Sequence, residues 1–182
     1  MGHALRTWRE GWCLAGRDIL HLAPEPIVGR LLNHTARSYR TADLDACHYG
    51  ADLAVDLRAL AIKADSFDVL VACHVLKHIV EDHDALAEVL RVLRPNGVAV
   101  LMVPVTARRT TDWGAVDSER NWHARECGVD YFDRYAETGF RVENLRTEDF
   151  KEAQSEALWT QEGNVRTSHW VSFCTKEEQT SA

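Results

Sequence analysis

The chain of 182 residues has no long hydrophobic run and carries little positive charge. No stretch approaches the roughly 18 consecutive apolar residues that a membrane helix needs, which excludes a membrane-spanning helix. The first ten residues carry charged side chains where a signal peptide has its apolar run, so we expect a cytoplasmic protein without membrane contact. With 28 acidic against 21 basic residues, sequence-independent nucleic-acid binding is disfavoured, although a local basic patch is still allowed.

Cysteine is also sparse and scattered along the chain. There are five cysteines, an odd number, and no pair has the Cys-x-x-Cys spacing. This pattern excludes a disulfide framework and a zinc ribbon, so we predict reduced thiols.

The size and composition are typical of one globular domain. The apolar fraction is 46% and the charged fraction is 27%, which excludes a disordered or fibrous protein. We expect a single domain over residues 1–175 followed by a polar tail over residues 176–182.

Short apolar runs alternate with helical patterns in the first two thirds of the chain. Strands are predicted at 19–23, 38–42, 66–73 and 98–103, with helices at 27–32 and 84–93 between them. A third apolar group lies at 54–57. This alternation predicts an α/β domain with three layers.

The last third of the chain has a weaker pattern. Residues 105–131 are polar without a clean period, and we interpret them as a lid or acceptor loop region. Helical spacing returns at 130–137, and residues 140–145 and 169–174 alternate as strands of a partly exposed sheet edge do.

Acidic residues follow the predicted strands at the edge where ligands bind in open parallel sheets. Asp43 and Asp45 come after the second strand, and a carboxylate there is suited to accept both hydroxyls of a ribose. The alternative is that these aspartates only cap a turn, and the spacing alone leaves both interpretations open.

The loop after the first strand lacks the glycines of a dinucleotide-binding motif. Only Gly29 lies between Gly16 and Gly50, and Pro24 and Pro26 remove two backbone donors that could hold a phosphate. Nicotinamide and flavin cofactors are therefore disfavoured, and a nucleoside ligand without phosphates fits better.

Three motifs together carry a family resemblance. They are Asp43-Leu44-Asp45, the run from Asp65 to Ile79 with Ser-Phe-Asp and His-Val-Leu-Lys-His, and Ala85 to Gly97 with Arg-Val-Leu-Arg-Pro-Asn-Gly. Residues 18–175 resemble class I S-adenosylmethionine-dependent methyltransferases. Leu20 to Pro26, with Ala-Pro-Glu, and His123 to Tyr131 are similar to a bacterial subgroup of that family.

The resemblance implies a fold, a cofactor and a set of roles. The fold is a Rossmann-like three-layer sandwich with a mostly parallel seven-stranded sheet and an antiparallel C-terminal edge strand. The methionine part of S-adenosylmethionine would contact the loop at 23–26, with Glu25 at its ammonium. Asp43 would hold the ribose, Asp56 and the Leu57 amide would contact adenine, and His74 would lie beside the sulfonium. The expected cofactor-binding residues are His21, Ala23, Glu25, Asp43, Leu44, Asp56, Leu57, Cys73 and His74.

Two sequence departures from the family are visible. Prolines occupy the first loop, where the family normally has glycines, and Lys77 replaces the usual Glu of the His-Leu-Glu-His pattern. The cysteine-rich zinc-binding segment that often precedes the first strand in related proteins is not expected here. His74, His78 and His83 have spacings that would allow a metal site on a helix, but no other ligand completes a tetrahedral set, so we predict no metal.

The predicted function is methyl transfer to a small-molecule acceptor, by a monomer or homodimer. A general base is needed only if the acceptor holds its proton, and His123, His74 and Tyr131 are the candidates. The alternative is a methyltransferase-fold protein that does not methylate and acts as a binding partner or as a cofactor-independent catalyst.

Overall fold

The computed structural model describes residues 14–146 and 168–178, which form an α/β structure. The described helices are α1 (Pro26–Thr35), α2 (Ala46–Tyr49), α3 (Asp82–Val92) and α4 (Asp133–Glu137), with 3₁₀ turns at Leu76–His78, Ser118–Arg120 and Val129–Phe132. The described strands are β1 (Asp18–Leu22), β2 (Ser38–Asp43), β3 (Leu53–Ala54), β4 (Phe67–Cys73), β5 (Leu93–Met102), β6 (Pro104–Ala107), β7 (Thr111–Asp117), β8 (His123–Gly128), β9 (Phe140–Arg146) and β10 (Ser168–Lys176). In this part of the chain, no helix is both long enough and apolar enough to span a bilayer.

Seven strands form the main sheet, in the order β3-β2-β1-β4-β5-β10-β9. Strands β1 to β5 pair in parallel, and β10 pairs antiparallel with both β5 and β9. The predicted mostly parallel, seven-stranded sheet with an antiparallel C-terminal strand is confirmed. The strand at the outer edge is β9, and it pairs along its own full length with β10.

The central strands bury both of their faces, as expected for near-continuous apolar runs. In β4, Val69 and Val71 belong to one apolar cluster, while Leu70 and Ala72 belong to another. Helix α1 contributes Val28 and Leu32 to the first cluster, and α3 contributes its buried apolar side chains to the second. Helices therefore cover both faces of the sheet, which confirms the three-layer architecture.

The region predicted as a lid or loop contains strands instead. Strands β6, β7 and β8, here called the β6–β8 extension (Pro104–Gly128), continue from β10 beside the main sheet. Their pairing is interrupted by register shifts, and β7 is mostly exposed on both faces. Strands of that kind leave no regular alternation of apolar and polar residues, so the sequence pattern could not predict them.

Two other elements have bounds that differ from the sequence prediction. The third strand is confined to Leu53–Ala54, and Leu57 is buried in the following loop rather than in the sheet. Helix α3 begins at Asp82 and ends at Val92, and β5 begins at once with Leu93. Pro95 to Gly97 therefore lie within the irregular start of a strand, not at a helix end.

The end of the sheet away from the carboxyl ends is held by an ionic network. Asp18 accepts hydrogen bonds from Arg37 and Arg94, and Arg94 also pairs with Asp68 at 3.0 Å. The Arg37 hydrogen bond holds the pKa of Asp18 well below its ordinary value of 3.8. Because the network fixes the starts of β1 and β4, it stabilises the strand pair that carries the site described below.

Replacing Asp18 by asparagine is expected to lower the free energy of unfolding by about 1 kcal/mol at pH 7. A lowered native pKa contributes stability above the unfolded pKa near 4, and that contribution is lost as the pH falls towards the native pKa. Urea unfolding at pH 7 and pH 3 should therefore show a difference between wild type and Asp18→Asn that shrinks at the lower pH. A difference that is equal at both values would contradict this account of the network.

Candidate cofactor site

A cavity lies where the order of the sheet reverses. Strand β1 has β2 on one side and β4 on the other, and open α/β sheets bind ligands at the carboxyl ends of such strands. The cavity has a volume of about 520 Å³, within the range of roughly 300–1,000 Å³ that is typical of sites for small ligands. Its lining residues are Leu22, Ala23, Ala42, Asp43, Leu44, Val55, Asp56, Leu57, Arg58, Cys73, His74, Val75, His78, Ile79, Val80, Glu81 and Val116.

The cavity brings together seven of the nine residues predicted to bind the cofactor. These seven are Ala23, Asp43, Leu44, Asp56, Leu57, Cys73 and His74. They come from the ends of β1, β2 and β4 and from the loop after β3. The remaining two, His21 and Glu25, lie outside the lining and contact each other, with Glu25 Oε2 at 3.4 Å from His21 Nε2.

The loop after β1 turns without a glycine because Ala23 adopts a left-handed backbone conformation, with φ of 46°. Its N–H donates to the carbonyl of Ala42 at 2.9 Å, which ties the turn to the end of β2. Pro26 is the first residue of α1, where a backbone N–H has no partner within the helix. The proline in this loop therefore removes no hydrogen bond from the helix.

We expect Ala23→Gly to raise the free energy of unfolding by about 0.5–1 kcal/mol, because an alanine is strained at positive φ and a glycine is not. The control is Ala42→Gly, at a buried position within strand β2, which is expected to lower it. Chemical denaturation of both variants measures the effect. A loss of stability in Ala23→Gly as large as in Ala42→Gly would contradict the strained turn.

Glu25 has a buried oxygen that lacks a donor. Its Oε2 accepts no hydrogen bond from the described residues, although the rest of the side chain is partly exposed. His21 is fully buried, with its Nδ1 at 2.9 Å from the hydroxyl of Tyr39. Burial raises the pKa of the Cys73 thiol, and the charge of the nearby Glu25 carboxylate raises it further. A buried carboxylate oxygen of this kind suits an ammonium donor at the Cys73 side of the cavity.

The two aspartates after β2 have different roles. Asp45 accepts from the N–H of His48 at 3.1 Å and caps α2, so it is the turn-capping residue. Asp43 accepts from the N–H of Asp45 through Oδ1 at 2.9 Å and also lines the cavity. Asp45 therefore caps the helix, whereas Asp43 both stabilises the turn and lines the cavity.

Asp56 is held by an arginine that the sequence analysis did not identify. Both oxygens of Asp56 accept from Arg58, and Arg58 Nη1 also donates to Glu81 at 2.9 Å. These hydrogen bonds from Arg58 lower the pKa of Asp56, which stays ionised. The backbone N–H of Arg58 also donates to Asp56 Oδ1, at 2.9 Å, so an adenine amino group would have to share a carboxylate oxygen with Arg58. Arg58 and Glu81 form the outer wall of this end of the cavity.

Of the three candidate bases, His74 lines the cavity, whereas His123 and Tyr131 do not. A further histidine, His78, also lines it. His74 lines the cavity with φ of 58° and donates its N–H to Met102 at 2.8 Å. His123 lies outside the lining, with its ring edge-on to that of His78 at a centroid distance of 4.9 Å. His78 itself lines the cavity, although the sequence suggested it only as a metal ligand. Among the described residues, no group of three His, Cys, Asp or Glu side chains has a metal-binding arrangement.

The prediction of Tyr131 as a base is corrected by its burial. Its side chain is fully buried outside the cavity, and its hydroxyl donates to Asp82 at 2.7 Å. Burial and the charge of Asp82 raise the pKa of Tyr131 far above its ordinary value. A buried tyrosine that stays protonated outside the cavity has a structural role here.

Asp82, which accepts from Tyr131, also pairs with Arg125, a buried residue of β8. Arg125 holds one wall of the cavity in place. Its Nη1 donates to the carbonyls of Leu76 and Ile79 at 2.6 Å each, and Nη2 donates to Val80 at 2.9 Å. We call these three hydrogen bonds the Arg125 clamp. The remaining donors face Asp112 and Asp82, so every N–H of the guanidinium has an acceptor.

The comparisons with known proteins agree with this geometry. Residues 27–101 match a family model described as a methyltransferase domain. This match covers 75 of the 182 residues, so residues 27–101 are similar to a methyltransferase domain. Among curated proteins, none matches the chain significantly.

Solved structures share the fold of this methyltransferase domain. An S-adenosylmethionine dependent methyltransferase from Mesorhizobium loti has a TM-score of 0.63 at 18% identity, covering 95% of this chain and 96% of its own. One from Methanosarcina mazei has a TM-score of 0.58 at 13% identity, covering 89% and 93%. The [4+2]-cyclase SpnF has a TM-score of 0.59 at 16% identity, covering 90% and 76%. At such identities the likeness establishes the fold alone.

The domain match agrees with the family that the motifs predict, and S-adenosylmethionine is the cofactor of that family. The lining of the cavity fits this cofactor, because the Asp43 and Asp56 carboxylates lie at neighbouring strand ends. Outside the lining, Glu25 Oε2 has no hydrogen-bond partner among the described residues.

Proposed function

We propose that this protein transfers a methyl group from S-adenosylmethionine to a small-molecule acceptor. The observation that carries the proposal is the convergence of residues from four successive strand ends, Ala23, Asp43, Asp56 and His74, on one cavity. Bound S-adenosylmethionine supplies a methyl group already activated by its sulfonium. The protein then has to hold the cofactor, orient the acceptor and exclude water.

Each part of the cofactor has a matching residue in the proposal. Asp43 accepts from the ribose hydroxyls, Asp56 and the Leu57 amide contact adenine, and the Glu25 carboxylate accepts from the methionine ammonium. His74 lies at the end of β4 beside the sulfonium, and Ala23 lets the backbone of the first loop approach the ligand. These roles are consistent with the lining of the cavity and with the lone pairs that Asp43, Asp56 and Glu25 can offer.

The acceptor in this proposal binds against the β6–β8 extension. Val116 of β7 lines the cavity together with His78 and Ile79, so this side of the cavity is bounded by the extension. A partly enclosed space of this size suits a small molecule rather than a macromolecule. We also propose that the protein works in the cytoplasm as a monomer or homodimer.

Calorimetric titration with S-adenosylhomocysteine tests the proposal, with NAD as the control ligand. We expect saturable binding of S-adenosylhomocysteine and no heat from NAD, because the loop after β1 offers no pyrophosphate site. Methyl transfer is then measured by mass spectrometry with labelled S-adenosylmethionine and a panel of small alcohols, amines and carboxylic acids. Absence of binding at millimolar S-adenosylhomocysteine would overturn the proposal.

The second candidate is a methyltransferase-fold protein that catalyses a different reaction or serves as a binding partner. The observation that favours it is the shared fold with a [4+2]-cyclase, together with Lys77 in place of the usual glutamate. Binding of S-adenosylhomocysteine without methyl transfer to any acceptor in the panel would favour this candidate. Detection of a methylated product would exclude it.

A further inference from the structure

His78 lies where the cofactor cavity meets the β6–β8 extension. It lines the cavity from the 3₁₀ turn after β4, and it contacts both Trp122 and His123 of the extension. A ring in this position is close to both the cofactor cavity and the proposed acceptor side.

The structure fixes which ring nitrogen of His78 carries the proton. Nδ1 lies 2.8 Å from the carbonyl oxygen of Trp122, and a carbonyl can only accept, so Nδ1 donates. The neutral ring therefore bears its lone pair on Nε2. Burial lowers the pKa of His78 below its ordinary value of 6.5, and the positive charge of Lys77 lowers it further. The neutral form is thus the main form at pH 7.

The Trp122 carbonyl is presented by a turn that is strained. Asn121 and Trp122 both have left-handed backbone conformations, with φ of 53° and 59°. The turn is closed by hydrogen bonds from the N–H of Trp122 to Asp117 and from the N–H of Asn121 to Ser118. Two successive non-glycine residues at positive φ are unfavourable, and such strain is concentrated at functional sites. Here the strained turn positions the Trp122 carbonyl, which orients the His78 imidazole.

We propose that His78 accepts the proton of the acceptor nucleophile through Nε2, so that the acceptor is a small molecule with a proton-bearing oxygen or nitrogen. This inference rests on the proposed function. The lone pair of that oxygen or nitrogen forms the bond to the methyl carbon, and the carbon–sulfur bond breaks with its electron pair going to sulfur. The proton moves to His78 Nε2 and is then released to solvent.

Other titratable groups near His78 are compatible with this role. Lys77 on its own turn disfavours the charged imidazolium, and the His123 ring of β8 contacts it edge-on. Arg58 and Glu81 share the cavity but form an ion pair with each other. His74 shares the cavity at the end of β4 and is the position expected beside the sulfonium.

Nuclear magnetic resonance of protein labelled with ¹⁵N-histidine tests the inference without a known acceptor. We expect the His78 ring to show a protonated Nδ1 and an unprotonated Nε2, with a pKa below 6.5. S-adenosylmethionine carries a positive sulfonium that S-adenosylhomocysteine lacks. The pKa of His78 should therefore be lower by about one unit in the S-adenosylmethionine complex than in the S-adenosylhomocysteine complex.

Assignment and controls come from three other positions. His78→Gln removes the resonance, and His123→Phe shifts it through the ring contact, which gives an independent assignment. His48 is exposed on α2 outside the cavity, and its ring resonances should be the same in both complexes. A protonated Nε2, or an equal pKa of His78 in both complexes, would overturn the role of His78. Absence of calorimetric binding by either ligand would instead overturn the proposed function, and the inference with it.

Discussion

Replacing Arg125 by lysine is expected to lower the free energy of unfolding by about 3 kcal/mol and to weaken S-adenosylhomocysteine binding at least about tenfold. A lysine keeps the charge but cannot reproduce the fork of donors that holds three carbonyls and two carboxylates. The Arg125 clamp holds the segment that carries His78, Ile79 and Val80 against the cavity, so its loss disturbs a wall of the site. Thermal unfolding should show a midpoint lower by roughly 6–12 °C.

The matched control is Arg134→Lys, because Arg134 contacts the same two acids. Its Nη1 donates to Asp82 at 2.7 Å and its Nη2 pairs with Asp112, but none of its described hydrogen bonds reaches the carbonyls of residues 76–80. We expect a smaller loss of stability, of about 1–2 kcal/mol, and S-adenosylhomocysteine affinity within about twofold of wild type. Equal losses of affinity in the two variants would show that the clamp does not position the cavity wall.

Replacing Asp43 by alanine is expected to weaken S-adenosylhomocysteine binding at least about 100-fold. In the proposed complex the carboxylate accepts from both ribose hydroxyls, and hydrogen bonds to a charged group contribute roughly 1.5–3 kcal/mol each. Asp43 lines the cavity at the end of β2 and already has one oxygen engaged by the N–H of Asp45. Calorimetry of the variant against wild type measures the loss.

The control variant Asp45→Ala distinguishes loss of a direct ribose contact from disruption of the local turn. Asp45 caps the short helix α2 and lies outside the cavity, so its removal should lower the unfolding free energy by about 1 kcal/mol without weakening the ligand. If Asp45→Ala weakens binding as much as Asp43→Ala, the loss at Asp43 comes from the turn and not from a ribose contact.

The sequence predicted those parts of the site that depend on strand ends. Asp43, Asp56 and His74 each lie at or just after the end of a strand, and the carboxyl ends of parallel strands meet at one edge of the sheet. The core strands were predictable for a similar reason, because strands buried on both faces are apolar along their whole length.

The parts that the sequence did not predict depend on tertiary contacts. Arg58 and Glu81 meet across the cavity from segments 23 residues apart, and Tyr131 meets Asp82 over a separation of 49 residues. Helical spacing placed Tyr131 in a predicted helix but did not indicate that its hydroxyl contacts a buried acid. His78 became a candidate only when the fold placed the Trp122 carbonyl against its ring.

The strands of the β6–β8 extension could not be predicted from the sequence pattern. These strands are short, β7 is largely exposed, and the pairing of β7 with β8 shifts register between Asp112 and Asp117. A buried arginine, Arg125, links this extension to the cofactor cavity, yet an arginine in a polar stretch predicts an exposed side chain.

The crystal structure of the complex with S-adenosylhomocysteine tests the central claim most directly. The account predicts the ribose hydroxyls within hydrogen-bond distance of Asp43, adenine between Asp56 and Leu57, and the sulfur on the side of the cavity that carries His74 and His78. A ligand bound outside this cavity, or a ribose turned away from Asp43, would contradict it.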